Sequence, residues 1–270
     1  MTLPLHEHRG RVLVIAGSDS GGGAGIQADI KTVTALGGPA ATAITAVTVQ
    51  NTLGVFGVHP IPLAVIEAQV RAVLDDIGTD VIKTGMLGDY AVVELVARLI
   101  GEAGAPAVVD PVMVAKGGAS LLDEGATAAV RELLIPRAAL LTPNAPEAGV
   151  LTGAAVETTE DLVRAGEALL GMGAAAVLMK GGHIPGERLV DVLMTPYATV
   201  RYESGRIDTR HTHGTGCTLA SACAAGLAQG LALDAAVEQA RDYVREAILR
   251  APGLGGGHGP LDHAWPVRRP

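Results

Sequence analysis

Six short apolar runs, each closed by a polar or glycine-bearing stretch, set the narrowest limit on what this chain can fold into. They lie at 11–16, 40–49, 80–83, 107–110, 138–142 and 174–179. Runs this short and this apolar are the mark of strands buried on both faces. Segments of helical periodicity separate them, at 26–36, 62–76, 90–101, 127–134, 144–151 and up to Met172 behind the capping threonines Thr158 and Thr159. Strand alternating with helix predicts an α/β fold: a three-layer sandwich with a central, mostly parallel sheet flanked by helices. No linker, repeat or low-complexity segment divides the chain, so 1–270 reads as one domain. The rhythm changes at 188–210, where 189–194, 199–203 and 206–209 read as short strands with a turn at 203–206. Two helices, from Gly216 and from Leu233, complete the fold, and 253–259 is a glycine-rich surface loop.

Hydrophobic residues make up 49% of the chain, yet Phe and Trp occur once each, so Val, Leu, Ile and Ala must fill the interior. A net charge of −8 and four scattered lysines (Lys31, Lys83, Lys116, Lys180) leave no basic stripe, which argues against nucleic acid as a partner. Cys217 and Cys223, six apart on a helix, point roughly 240° apart and neither pair nor share a metal. Two unpaired cysteines fit a reducing compartment, and the start of the chain, with His6, Glu7, His8 and Arg9, has no apolar signal region. The uncharged run 214–233 has the length of a membrane span, but its Gly, Ser, Thr and Gln content reads as a buried helix. These features predict a soluble cytoplasmic protein with no membrane partner.

Polar residues collect where the apolar runs end: Asp19, Gln50, Lys83, Asp110, Asn144 and Lys180. In open α/β sheets ligands bind along that edge. The loop at 17–25 follows the first strand and opens a helix, but it contains neither G-x-G-x-x-G nor Gly-Lys-Ser/Thr, so its ligand is not named by pattern. In the stretch 211–218, Gly214 and Gly216 flank Thr215 and Cys217 opens a helix. It is either an anion site at a helix N-terminus or a glycine turn before a core helix. Asp110, Asn144 and Glu147 are oxygen ligands of the kind that suit Mg²⁺. Lys180 can neutralise phosphate charge, although Asp110 reads equally as a strand stop, Asn144 as a cap and Lys180 as a solvated strand end. Positioning plus charge stabilisation is what phosphoryl transfer requires.

Seven stretches carry a resemblance to a known family: AGSDSGGGAGIQADIKT at 16–32, TAVTVQNTLGV at 45–55, KTGMLGD at 83–89, VVDPVMVAKGG at 108–118, LTPNAPEA at 141–148, VLMKGGH at 177–183 and THGTGCT at 212–218. In this order the chain resembles the hydroxymethylpyrimidine/phosphomethylpyrimidine kinases of the ribokinase-like superfamily. The resemblance implies ATP- and Mg²⁺-dependent phosphorylation of 4-amino-5-hydroxymethyl-2-methylpyrimidine and then of its monophosphate. It implies that Asp29 and Gln50 hydrogen-bond the ring and its amino group, with Ala16, Gly17 and Met86 shaping the pocket. Asp110 and Glu147, with Asn144, would organise the metal and phosphates, and Lys180 would contact ATP. Gly214, Thr215, Gly216 and Cys217 would form the anion hole. Cys217 stands where the superfamily's sugar kinases carry an aspartate; the pyrimidine branch that the chain resembles carries a cysteine there too. A thiol at a helix N-terminus is expected to have a lowered pKa and to accept the hydroxyl proton in the first phosphorylation. His213 reads as a nucleotide ligand or a turn residue.

The resemblance also implies a homodimer, to which the 188–210 region is a candidate contributor. A vitamin B6 kinase and a non-catalytic nucleotide-binding protein are the competing readings. Gln50 favours a pyrimidine, because an amide offers an aminopyrimidine edge both a donor and an acceptor.

Overall fold

A computed structural model describes residues 10–113 and 124–268; His6–Arg9 of the N-terminal reading and Lys116 of the 108–118 stretch fall outside them. One nine-stranded sheet carries the architecture. In chain order the strands are β1 (Val12–Asp19), β2 (Ala40–Asn51), β3 (Gly54–Pro60), β4 (Val81–Thr84), β5 (Ala107–Val109), β6 (Ala138–Leu141), β7 (Val177–Met179), β8 (Arg188–Met194) and β9 (Thr199–Gly205). Their order across the sheet is β3-β2-β1-β4-β5-β6-β7-β8-β9. From β2 to β7 neighbours run parallel, and the antiparallel pairs β2–β3, β7–β8 and β8–β9 sit at the two ends. The α/β expectation holds, with one correction: β9 runs through Gly205, so 203–206 is not a turn, and 206–209 forms no strand.

Among the described residues eight α-helices cover the sheet: α1 (Gly25–Ala35), α2 (Leu63–Asp76), α3 (Tyr90–Ala103), α4 (Glu124–Ala129), α5 (Ala145–Thr152), α6 (Thr159–Gly171), α7 (Thr215–Ala228) and α8 (Leu233–Leu249). Alternation along β1 shows how the sheet sorts them. Leu13 and Ile15 join one apolar cluster with Ile66, Leu99, Leu151 and Leu162, the layer of α2 to α6. Val12, Val14 and Ala16 point the other way, to Val33, Ala224 and Val237 of α1, α7 and α8. Most of the uncharged run 214–233 is this buried α7, with 229–232 linking it to α8, and Cys223 is wholly buried in α7. Among the described residues no helix is long and apolar enough to cross a membrane. Its small residues let backbones close in: a Cβ at Gly226 would stand 3.0 Å from Cβ of Ala236 on α8. The 253–259 loop folds onto the β2–β3 turn, where His258 N–H donates to the Thr52 carbonyl at 2.8 Å.

Between β4, α1 and α7 lies a charge pair with no exposed surface. Lys83 Nζ is 2.9 Å from Asp29 Oδ1, and the Ser221 hydroxyl donates to the same oxygen at 2.6 Å. Burial disfavours the Lys83 charge, but Asp29, Cys217 and Asp110 outweigh it and raise its pKa. Burial likewise raises Asp29, against the pull of Lys83 and Ser221. Removing one partner strands a charge in the interior, whereas replacing both by apolar groups of similar volume often costs little. Lys83→Met is therefore expected to lose ~3–5 kcal/mol of stability, and Lys83→Met/Asp29→Leu to recover most of it. Denaturant midpoints measure both; an equal loss in the double variant would show that the pair itself holds the layers together.

Candidate active site

Strand order reverses at β1, which is flanked by β2 on one side and β4 on the other. Parallel sheets open a crevice at such a switch point, at the carboxyl ends of the strands. Here a cavity of about 340 Å³ opens there. Ala16 to Asp19 line it from β1, Thr48 and Gln50 from β2, Gly85 and Met86 after β4, Asp110 after β5, Asn144 after β6 and Lys180 after β7. Every site residue expected from the sequence lines this cavity except Asp29. The difference is physical: Asp29 has no exposed surface, and Lys83 and Ser221 both engage its Oδ1, so it lies behind the cavity wall.

Two helix N-termini converge on the cavity. The loop before α1 is folded around the Asp19 carboxylate, which accepts N–H bonds from Gly21 at 2.7 Å, Gly23 at 3.0 Å and Ala24 at 2.8 Å. The loop before α7 passes close beneath it. Gly214 has φ +83°, and a Cβ there would overlap the Gly23 carbonyl oxygen, so no other residue fits. The first-turn N–H groups of α7, on Thr215, Gly216 and Cys217, have no intrahelical acceptors and aim at the cavity with the positive end of the helix dipole. That favours the anion site over the plain turn.

Across the cavity stands the charged group. Lys180 Nζ is 2.9 Å from Asp110 Oδ1 and 3.8 Å from Glu147 Oε2. A Cβ at Gly216 would lie 3.3 Å from Lys180 Nζ and 3.7 Å from Asp110 Oδ2, so the α7 terminus faces this group directly. Asn144 and Glu147 form a reciprocal cap on α5, the Asn144 side chain accepting from Glu147 N–H and the Glu147 carboxylate from Asn144 N–H. Burial, with Asp110 adding to it and Lys180 opposing, pushes the Glu147 carboxyl up to about 7. Oδ2 of Asp110 points toward Gly216, and the Glu147 cap engages only Oε2. Two carboxylates with oxygen to spare, facing a helix N-terminus, are a donor set that suits Mg²⁺, which takes few protein ligands and completes its shell from phosphates and water.

Two sequence expectations change. Cys217 is at the third helical position, yet burial, reinforced by Asp29 and Asp110, pushes its thiol up to about 12. Lys83 and a backbone hydrogen bond from Gly25 favour the thiolate without prevailing. The helix dipole is thus outweighed by desolvation, and Cys217 is a thiol at neutral pH. His213 is neither a simple turn residue nor remote: it lines the cavity, with Nε2 2.9 Å from Asp19 Oδ2 and 3.2 Å from the Gln50 amide. Thr48, which nothing in the sequence singled out, touches the other end of that amide at 3.2 Å. Its signal was available, since Thr48 and Gln50 share a strand face at a spacing of two.

Comparison with known proteins bears on the whole arrangement. A model of the phosphomethylpyrimidine kinase family matches residues 19–262. The chain is 50% identical over 254 residues to the hydroxymethylpyrimidine/phosphomethylpyrimidine kinase of Streptomyces coelicolor, covering 94% of each protein. Among solved structures it is similar to the ADP complex of Bacillus subtilis pyridoxal kinase, with a TM-score of 0.88, 38% identity and coverage of 94% of this chain and 97% of that one. It is also similar to the phosphomethylpyrimidine kinase of Clostridium difficile, with a TM-score of 0.79, 40% identity and coverage of 88% and 99%. A crevice with a charged wall facing a helix N-terminus, on a chain matched from Asp19 to Asp262, leads to one conclusion: the protein belongs to the phosphomethylpyrimidine kinase family and is a small-molecule kinase.

Proposed function

We propose that this chain, as one kinase domain spanning 1–270, transfers the terminal phosphoryl group of ATP to the hydroxymethyl oxygen of 4-amino-5-hydroxymethyl-2-methylpyrimidine and then to the resulting monophosphate, on the path to thiamine diphosphate. One observation carries the reading. The α7 N-terminus faces the Lys180–Asp110 pair across a cavity whose far wall presents the Gln50 amide. The amide supplies both a donor and an acceptor to an aminopyrimidine edge, which a pyridoxal ring does not match. Gly17 and Met86 close over the ring, Asn144 and Thr215 bound the ATP side, and the N–H groups from Gly214 to Cys217 receive the charge that develops on the transferring phosphoryl. Asp110 and Glu147 would hold Mg²⁺, which when bound neutralises phosphate charge. Lys180, already among those carboxylates, supplies positive charge beside them. Both cysteines are free thiols, in keeping with a cytoplasmic enzyme.

Cys217 is placed to take the hydroxyl proton in the first phosphorylation, whereas the second uses an oxygen that is already anionic. With its thiol at about 12, that role draws on a small thiolate fraction, which grows tenfold per pH unit. The first step is therefore expected to speed up from pH 7 to 9 while the second stays flat. Cys217→Ala should abolish the rise and lower kcat of the first step by ~10²-fold, with less than about a tenfold loss in the second. Equal losses in both steps would refute this division.

Substrate choice is tested by a coupled assay of both pyrimidines and pyridoxal with Mg²⁺ and ATP, in wild type and Gln50→Ala. Turnover of both pyrimidines, weakened ~10²-fold in the variant, is expected. Pyridoxal as the sole good substrate would assign the chain to vitamin B6 phosphorylation. For assembly we propose a homodimer through the β2–β3 ribbon, where Val49, Leu53 and Phe56 are each more than 60% exposed, in place of the 188–210 region. Phe56→Glu is expected to shift sedimentation from dimer to monomer; a wild-type monomer would overturn the assembly.

A further inference from the structure

The amide of Gln50 has two ends, and its neighbours decide which is which. As the side chain stands, its nitrogen lies 3.2 Å from His213 Nε2 and its oxygen 3.2 Å from Thr48 Oγ1; a half-turn of the amide exchanges the two, and the donors and acceptors around it select the turned arrangement. Consider first the histidine. Its Nε2 is 2.9 Å from Asp19 Oδ2, an oxygen that already accepts from Gly23 and Ala24 N–H, while Oδ1 accepts from Gly21. A carboxylate so surrounded stays ionised: burial pushes its pKa up, but His213 and the backbone N–H groups more than offset that and lower it. The proton between the two residues therefore sits on Nε2. An Nε2–H cannot accept a bond from an amide NH₂, so the end of Gln50 that faces it must be the carbonyl.

The threonine leads independently to the same assignment. Thr48 Oγ1 is 2.9 Å from the Ser18 carbonyl oxygen, which only accepts, so the one hydroxyl proton is committed there. What remains on Oγ1 is a lone pair, and the end of Gln50 beside it must be the NH₂. Two donor–acceptor counts, from residues on opposite sides of the amide, agree.

We infer that His213, anchored by Asp19, is a positioning residue that fixes the polarity of the Gln50 amide, and so fixes which way round the pyrimidine enters. This rests on the substrate reading above. With the carbonyl held on the His213 side, the cavity offers an acceptor next to the α7 loop and a donor next to β2. In 4-amino-5-hydroxymethyl-2-methylpyrimidine the 4-amino group donates, the ring nitrogen N3 accepts, and the hydroxymethyl carbon is the amino group's other neighbour. The amino group then lies toward His213. Because His213 immediately precedes Gly214, the hydroxymethyl group is turned toward the 214–217 anion hole. The reverse polarity would turn the ring over and carry the reacting oxygen away from Cys217.

The test compares kcat/KM for the amino substrate with that for its 4-oxo analogue, whose carbonyl at C4 and N3–H reverse the recognised edge. Wild type is expected to favour the amino compound by ~10²-fold or more, because the wrong edge leaves two buried groups unpaired. In His213→Leu, which has no donor, the amide is free to turn and the preference should fall below about tenfold. KM for the pyrimidine should rise and KM for ATP should hold. His213→Gln, whose amide N–H takes the place of Nε2–H, should restore the preference. If His213→Leu does not fold, Thr48→Val and Thr48→Ser give the same comparison from the other end, with narrowing in the first and not in the second. An unchanged preference in His213→Leu, or in Thr48→Val, would overturn the inference. Absence of turnover with the amino compound in wild type would instead overturn the substrate reading.

Discussion

The Asp19 carboxylate is the constraint on which the crevice depends. It accepts from the N–H groups of Gly21, Gly23 and Ala24 in the glycine-rich loop and from His213, and so ties the start of α1 to the start of α7. Neither loop is held in place by a core of its own; each is mostly backbone. What fixes them is this buried charge together with the close passage of Gly214 under Gly23. A carboxylate with several charge-assisted N–H bonds is stable in burial because its desolvation is met by donors in fixed positions. The same bonds aim two sets of helix-terminal N–H groups into one space. An uncharged residue at 19 would leave buried N–H groups without acceptors and the two loops free to separate.

Beneath the crevice, charge is arranged in two buried tiers. Lys180 with Asp110 and Glu147 faces the cavity, and Lys83 with Asp29 lies behind it. Cys217 stands between opposing fields: Lys83 favours its thiolate, while Asp29, Asp110 and burial oppose it. Its thiol is held neutral at pH 7, so in the proposed reaction it would act as a base only through a small thiolate fraction. That fits phosphoryl transfer, in which placement and charge stabilisation do most of the work.

The fold was legible because a parallel sheet writes itself as short apolar runs, and the crevice was legible because polar residues followed those runs. Asn144, read as a possible cap, and Thr158, read with Thr159 as capping, are both N-caps in the structure. What escaped has a common physical cause. Asp29 was assigned from the family resemblance and the Cys217 thiol from its place at a helix N-terminus, and the state of both is decided by desolvation, a property of packing that no local pattern records. The 206–209 segment was read as a strand from its β-prone residues, but Arg206 N–H bonds to the Glu187 carbonyl and its guanidinium reaches the carbonyls of Gly182, Ile184 and Gly186, which draws the chain away from the sheet. His213 shows the limit most clearly. Its partners, Asp19 and Gln50, are 194 and 163 residues away in sequence, and only the folded chain makes them neighbours.

A scaffold that resembles both pyrimidine and pyridoxal kinases so closely does not by itself choose the ring. In the proposed reaction the anion hole, Lys180 and the carboxylates would act on phosphate, indifferent to what carries the hydroxyl. On that proposal discrimination would come from the wall against which the ring would lie, and most of that wall is backbone or apolar: Ala16, Gly17, Gly85 and Met86. Apolar contact separates rings of similar size only weakly, by 10- to 200-fold at most for a missing methylene-sized group. A buried donor and acceptor in fixed order separate them far better, because the wrong edge leaves both unpaired. That places the burden of specificity on one amide, and on the histidine and threonine that keep it from turning.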